Sequence, residues 1–287
     1  MRAHVFAVKS EFKPIKLEGI TSLKQGQSKI EVKLPGACVI TVTNAKVKRF
    51  IRRGLNQNNG ASQMDTFLVD EKGNVDPKTP IIWDFDELTG ITVQPVDKEP
   101  LTITGGRFTT IANTRESGTY HARGILIQRS NVIVEGVQHD IRGEGEHGSP
   151  YHGFISISST FGRITGAPGV ADIIIRNCRF SPHRGGSSPS VFGGFNDGQH
   201  DFGYTSSMPA RILIDKLHIE DAGKNGGPTL FANFNPKLTS DSYKQKHPYV
   251  VTREVILKNV TTASSKSLRL SDNPYMFRDV QVEGLGQ

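Results

Sequence analysis

Residues 143–158, GEGEHGSPYHGFISIS, bring Glu144, Glu146, His147, Tyr151 and His152 within a few positions of one another, then pass into an alternating apolar segment. Carboxylates, imidazoles and a phenol at such spacing could serve as acid, base, metal ligand or sugar contact. Hydrolysis of a glycosidic bond needs two carboxyl groups, about 5–5.5 Å apart for retention and about 6.5–9.5 Å for inversion. In an extended segment the Cα atoms of Glu144 and Glu146 lie about 6.5 Å apart at a rise of ~3.3 Å per residue, which is compatible with such a pair. Elimination from an acidic sugar needs instead a base beside the departing proton and a cation, Ca²⁺ or arginine, on the sugar carboxylate. Arg142, His147, Tyr151 and His152 offer those types. The interleaved Gly143 and Gly145 make a pliable turn, so solvated loop acids are the plain alternative.

A second cluster, GGFNDGQHDFGY at 193–204, carries Asn196, Asp197, His200, Asp201 and Tyr204, and a third, beginning at 235, carries Lys237 with Tyr243, Lys246, His247 and Tyr249. On this reading Glu144, Glu146, His147, Asp197 and Asp201 are the catalytic candidates. Arg142, Tyr151, His152, Asn196, His200, Tyr204 and Lys237 are the substrate contacts. Aromatic faces suit sugar rings, and mixed acids, bases and amides suit hydroxyls. Six of the nine histidines fall between His121 and His200, which points to the middle of the chain as the place for chemistry.

Positioning these residues falls to a repeat. The segments LTITGGRFTT, NVIVEGVQHD, DIIIRNCRFS, RILIDKLHIE, EVILKNVTTA and YMFRDVQVEG, from 101, 131, 172, 211, 254 and 275, each join an alternating apolar strand to a second short strand. Between the two stands Gly105, Gly136, Asn177, Lys216, Asn259 or Asp279, and all but Lys216 are types that reach left-handed backbone angles at low cost. A bend at a fixed place follows. A further short strand precedes five repeats: GILIQ at 124, GFISI at 153, VFGGF at 191, TLFAN at 229 and SLRL at 267. Hairpin-type turn signals between strands are missing. Strand, variable loop and bent strand pair make the rung of a right-handed parallel β-helix, an all-β solenoid with long loops on one side. The loop that begins after GFISIS and those of the second and third clusters are then expected to leave the coil on one side and build one wall of a groove, with residues 143–158 at its entry, meeting the second cluster across it. His139 stands where other repeats have Phe108, Phe180 or Ile219, which predicts a core histidine. His218 is expected on a surface or in packing, and Asn196 and Asn235 in a stacked turn ladder.

From about residue 99 onward the repeats resemble the pectate-lyase-like superfamily of right-handed β-helix proteins, which includes polysaccharide lyases, glycoside hydrolases and tailspikes. Residues 1–98 look similar to first coils with a protruding loop, read with 99–287 as one continuous domain. The resemblance implies a polysaccharide, acidic or neutral, as partner, Ca²⁺ if the reaction is elimination, secretion or cell-surface display in the parent protein, and a trimer on the tailspike pattern. The Asp-rich entry and capping helix usual in that superfamily are missing, which suggests a shortened member. Its Asp-Asp pair and Arg-x-Pro-x-x-Arg segment are also missing, and EHGSPYHGF is only partly like its Gly-His-Gly element, so activity does not follow from the fold. Glycan cleavage and non-catalytic glycan binding both stay open.

Composition narrows the partners. Thirty glycines and fifteen prolines with 36% hydrophobic residues suit a turn-rich β protein. The net charge of +7 is spread along the chain without interleaved aromatics, which speaks against nucleic acid. No run of eighteen apolar residues exists to span a membrane, and the first residues lack the apolar core of a signal peptide. Cys38 and Cys178 lie in alternating apolar runs without metal-type spacing and are expected as buried small hydrophobes.

Overall fold

In the computed structural model every regular element among the described residues is a β-strand. The structure describes residues 5–49, 61–81, 83–111, 124–143, 154–157, 170–181, 190–193, 211–220, 229–231, 254–263, 280–284 and 286. Among them no helix is long and apolar enough to cross a membrane. The chain forms β1 (Phe6–Lys9), β2 (Cys38–Arg49), β3 (Ala61–Val69), β4 (Gly90–Pro95), β5 (Leu101–Thr104), β6 (Arg107–Ile111), β7 (Ile125–Gln128), β8 (Val132–Glu135) and β9 (Gln138–Arg142). It continues through β10 (Ile155–Ile157), β11 (Ile173–Phe180), β12 (Ser190–Gly193), β13 (Ile212–Ile219), β14 (Thr229–Phe231), β15 (Val255–Lys258), β16 (Thr261–Thr262) and β17 (Val280–Glu283).

Fourteen of these strands form two parallel sheets. The larger has nine strands and runs β17-β15-β13-β11-β8-β5, extended past the bend by β16, β9 and β6, while the smaller runs β1-β7-β10-β12-β14. From β7 to β15 the chain alternates between the sheets, so each return adds one strand to each. The pairing keeps like positions together: Leu101, Val132, Ile173, Ile212, Val255 and Val280 form one row. Four rungs of the short strand stand where the alternation puts them, the fifth, SLRL, lying outside the described residues. The bends carry left-handed angles at Gly105, Gly136, Asn177, Lys216 and Asn259, with φ of 67°, 67°, 53°, 52° and 51°. The sixth bend differs from expectation. It falls at Gly284 (φ 64°) rather than Asp279, because β17 is VQVE and the bend follows its fourth residue as in every other repeat.

Alternation decides what faces inward. Val132, Val134, Ile173, Ile175, Ile212, Ile214 and Leu257 point into one core, joined past the bends by Val137, Cys178, Leu217 and Val260. In-register stacking puts branched side chains directly over one another at ~4.8 Å, so each is covered by its neighbours above and below. Both cysteines are buried and free, as their apolar runs predict, and burial pushes each thiol up to about 11. Gly124 is required by close approach: a Cβ there would stand 1.7 Å from the Phe154 carbonyl oxygen. The last residue before each bend points outward, and from β8 to β17 these alternate in sign: Glu135, Arg176, Asp215, Lys258, Glu283. Arg176 donates to Glu135 at 2.9 Å, and the bend asparagines Asn177 and Asn259 donate to Glu135 and Asp215 at 3.3 and 3.1 Å. A one-rung slip would oppose like charges, so the ladder holds the register.

Residues 38–95 do not continue the parallel sheets. They form a three-stranded antiparallel sheet, β3-β2-β4, over a second core containing Cys38, Ile40, Phe67, Trp83, Phe85 and Val93. The first of these strands is twelve residues long, longer than any coil strand, and pairs along most of its length with β3 and β4. The sheet meets the coil through Val39, Leu68 and Ala171. Around that seam Asp76 pairs with Arg211 at 3.3 Å, Lys78 with Glu254 at 2.7 Å, and buried Asp97 with Arg129 at 3.6 Å. The N-terminal segment adds β1 to the smaller sheet beside β7, a pairing its sequence did not announce.

Candidate functional site

Of the predicted site residues, Arg142 alone is described. Glu144, Glu146, His147, Tyr151, His152, Asn196, Asp197, His200, Asp201, Tyr204 and Lys237 lie outside the described residues, as do Asn235 and the other members of the third cluster. The strands that flank these segments are described. Residues 144–153 connect β9 in the larger sheet to β10 in the smaller. Residues 194–210 and 232–253 make the opposite crossing, from β12 and β14 in the smaller sheet to β13 and β15 in the larger. The first segment therefore starts at one corner between the two sheets, and the other two end at another. The second corner is also where the N-terminal sheet docks, through Asp76 on Arg211 and Lys78 on Glu254.

The corner that bears 144–153 adjoins an outward strip on the strands past the bends. Register puts Arg107, Gln138, Arg179, His218 and Thr261 in one row. Two residues further along each strand stand Thr109, Asp140, Ser181 and Glu220, and beyond Asp140 comes exposed Arg142, paired with Ile111. Alternation turns these side chains outward while Phe108, His139, Phe180, Ile219 and Thr262 turn in. The strip thus offers polar groups repeated every ~4.8 Å along the stack.

Its electrostatics are organised in pairs. Arg107 Nε and Nη2 donate to Asp140 Oδ2 at 3.0 and 2.9 Å, and Arg179 Nε donates to Glu220 Oε1. The Glu220 carboxylate raises Arg179 above its ordinary value through that bond. His218 Nδ1 lies 2.9 Å from Thr261 Oγ1, and its Nε2 lies 3.5 Å from Glu220 Oε1. A hydroxyl, an imidazole and a carboxylate therefore stand in line on an open face, with the imidazole half-exposed. Such a line can hold and pass a proton. Asp140 and Glu220 are two rungs apart, about 10 Å between Cα atoms at ~4.8 Å per rung, with both carboxylates tied to arginine. Each is committed as an acceptor to its guanidinium group. Among the described residues no cluster of histidine, cysteine and carboxylate could hold a metal ion.

His218 is indeed a surface residue within its strand, and His139 is the core histidine its position predicted: 2% exposed, with its ring 4.1 Å from and nearly parallel to that of Phe154. Arg107, Gln138, Arg179, Glu220 and Thr261 were missed as site residues. Their signal was available, since they follow each bend at fixed offsets, but attention to dense clusters passes over a site assembled one residue per repeat.

No family model and no curated protein matches the chain.

Proposed function

We propose that the chain is a right-handed parallel β-helix that engages a polysaccharide lying along its stack and cleaves it at the corner bearing residues 144–153. The observation carrying this reading is the in-register row Arg107, Gln138, Arg179, His218, Thr261, which repeats hydrogen-bonding groups along one axis as a polymeric sugar repeats its hydroxyls. Arg142, at the strand end next to that corner, joins the row to Glu144, Glu146, His147, Tyr151 and His152. Elimination would use His147 or His152 as base with Arg142 or Ca²⁺ on a sugar carboxylate, and hydrolysis would use Glu144 and Glu146. Asp197 and Asp201, with His200, would meet them across the groove and are the further candidates for hydrolysis. Secretion or surface display and a trimeric assembly belong to the same proposal.

A second reading, a glycan-binding module without chemistry, is favoured by one observation: both outer carboxylates of the strip, Asp140 and Glu220, are bound by arginine. The deciding experiment treats the purified chain with a panel of neutral and acidic polysaccharides, with and without Ca²⁺, and follows unsaturated-sugar absorbance and reducing ends together. Absorbance identifies a lyase, and reducing ends alone a hydrolase. Silence in both, with a glycan retained by the wild type and lost by Arg179→Ala and His218→Ala, identifies the binder. Absence of both cleavage and retention across the panel sinks the glycan reading.

A further inference from the structure

The strands before the bends carry apolar residues on both faces. VIV in β8, III in β11, ILI in β13 and VIL in β15 are uninterrupted runs, the pattern of parallel strands covered on both sides. The middle residues, Ile133, Ile174, Leu213 and Ile256, form one in-register column, with Thr102 of β5 before it and Gln281 of β17 after it. Alternation turns this column away from the interior. All four side chains are half-buried, and none belongs to or packs against the cores among the described residues. Two residues further along the same strands runs the charge ladder Glu135, Arg176, Asp215, Lys258.

We propose that the outer face of β8, β11, β13 and β15 docks a second copy of this chain, face to face about a two-fold axis that runs parallel to the strands between β11 and β13. Such an axis reverses the order of the strands and keeps their direction, and an alternating ladder of even length is its own complement when reversed. Arg176 then faces the second copy's Asp215, and Glu135 its Lys258. In the apolar column Ile174 faces Leu213 and Ile133 faces Ile256, while Thr102 meets Gln281 at the margin. The other two-fold axis in that plane, along the stack, would set the ladder against Asp172, Arg211 and Glu254. Those groups are already engaged by one another and by Asp76 and Lys78. Six strands at ~4.8 Å and five residues at ~3.3 Å make a face of about 29 by 16 Å, so the pair covers about 1,000 Å² in total, near the lower limit of a specific interface. Dilution should therefore separate it.

Sedimentation velocity of the full chain over a concentration series tests the pair. The wild type is expected as an even number of copies that halves on dilution. Leu213→Thr removes apolar surface at the centre of the face and keeps a strand-compatible residue, and Arg176→Glu sets acid against acid twice per pair. Each is expected to weaken association about tenfold or more. Arg176→Glu combined with Asp215→Arg restores opposite charges across the axis while leaving like charges adjacent within each chain, so the double variant is expected to pair again. Urea midpoints show which variants are folded, and where a charge variant is not, Leu213→Thr and Ile174→Thr decide. A wild type of one or three copies at every concentration, association unchanged in Leu213→Thr, or a folded double variant as weak as Arg176→Glu alone overturns the proposal. This face lies before the bends and the polar strip past them, so the pair goes beyond the glycan reading and stands even where no glycan is cleaved or retained.

Discussion

Substitution of Asn177 separates backbone geometry from side-chain chemistry at a bend. Asn177 holds φ at 53° and donates a 3.3 Å hydrogen bond to Glu135 from an exposed position. Alanine there loses the bond, about 0.5 kcal/mol for a long exposed contact. It also pays about 1–2 kcal/mol for a left-handed conformation that its Cβ opposes. Glycine loses the same bond without the steric cost, but carries about 0.4–1 kcal/mol of extra unfolded-state entropy relative to alanine. Asn177→Gly should therefore be more stable than Asn177→Ala by about 0.5–1 kcal/mol, the difference of those two terms. In an ordinary strand the order is reversed, with glycine the worse by roughly 0.5–1 kcal/mol. Equilibrium urea unfolding at pH 7 reads the difference from midpoints at constant slope, with far-ultraviolet circular dichroism following the coil. Fluorescence of Trp83, the one tryptophan and part of the N-terminal core, shows whether the two cores unfold together. Alanine as stable as glycine would refute the bend as the feature that fixes the repeat.

Three further outcomes follow from the packing. Ile214→Ala, fully buried between Ile175 and Leu257, should cost about 2–5 kcal/mol in the same urea assay, with the larger values expected where neighbouring rungs cannot collapse. Arg129→Ala leaves Asp97, 3% exposed and without a partner for Oδ2 among the described residues, with only the Ser10 hydroxyl on Oδ1, and should cost about 3 kcal/mol by thermal or urea unfolding, with Arg129→Lys recovering part. Arg176→Glu sets three acids in succession at Glu135, 176 and Asp215. It should lose about 1–2 kcal/mol at low salt and less at 0.5 M salt, whereas Arg176→Gln should vary little with salt.

The strands of the parallel sheets were legible because every signal agreed there: apolar alternation, a fixed bend position and β-branched residues point to one answer. The bend at 279 was misplaced because the sixth repeat opens with YMFRD, whose apolar residues imitate a strand and shift the frame; the outward Glu283 before Gly284 completes the charge ladder and would have corrected it. Residues 38–95 read as coil because a twelve-residue alternating strand has the same period whether its partners are parallel or antiparallel. Only connection geometry distinguishes the two. Pairing of β1 with β7 was not legible at all, since four residues, FAVK, carry too little pattern to name a partner. For the site, sequence proximity drew attention to Glu144–His152, while the row Arg107, Gln138, Arg179, His218, Thr261 exists only once register is known.

Charge placement bears on what such a face would take up. The chain carries +7 overall, which taken alone suggests attraction of a polyanion. On the described coil the charges are largely spent on one another: the pre-bend ladder alternates in sign, Arg107 meets Asp140, and Arg179 meets Glu220. Of the arginines past the bends, Arg142 alone has no ion pair among the described residues, and it stands at the corner where 144–153 begins. A ligand lying on the strip would therefore meet fixed hydrogen-bonding groups held in place by ion pairs rather than a field of unpaired cations. Positioning by many weak, directional bonds suits hydroxyl-rich chains, since ion pairs facing water contribute little and are screened by salt. On the glycan reading, retention should then depend on the order of hydroxyls along the chain more than on its charge density, and any recognition of a sugar carboxylate should concentrate at Arg142.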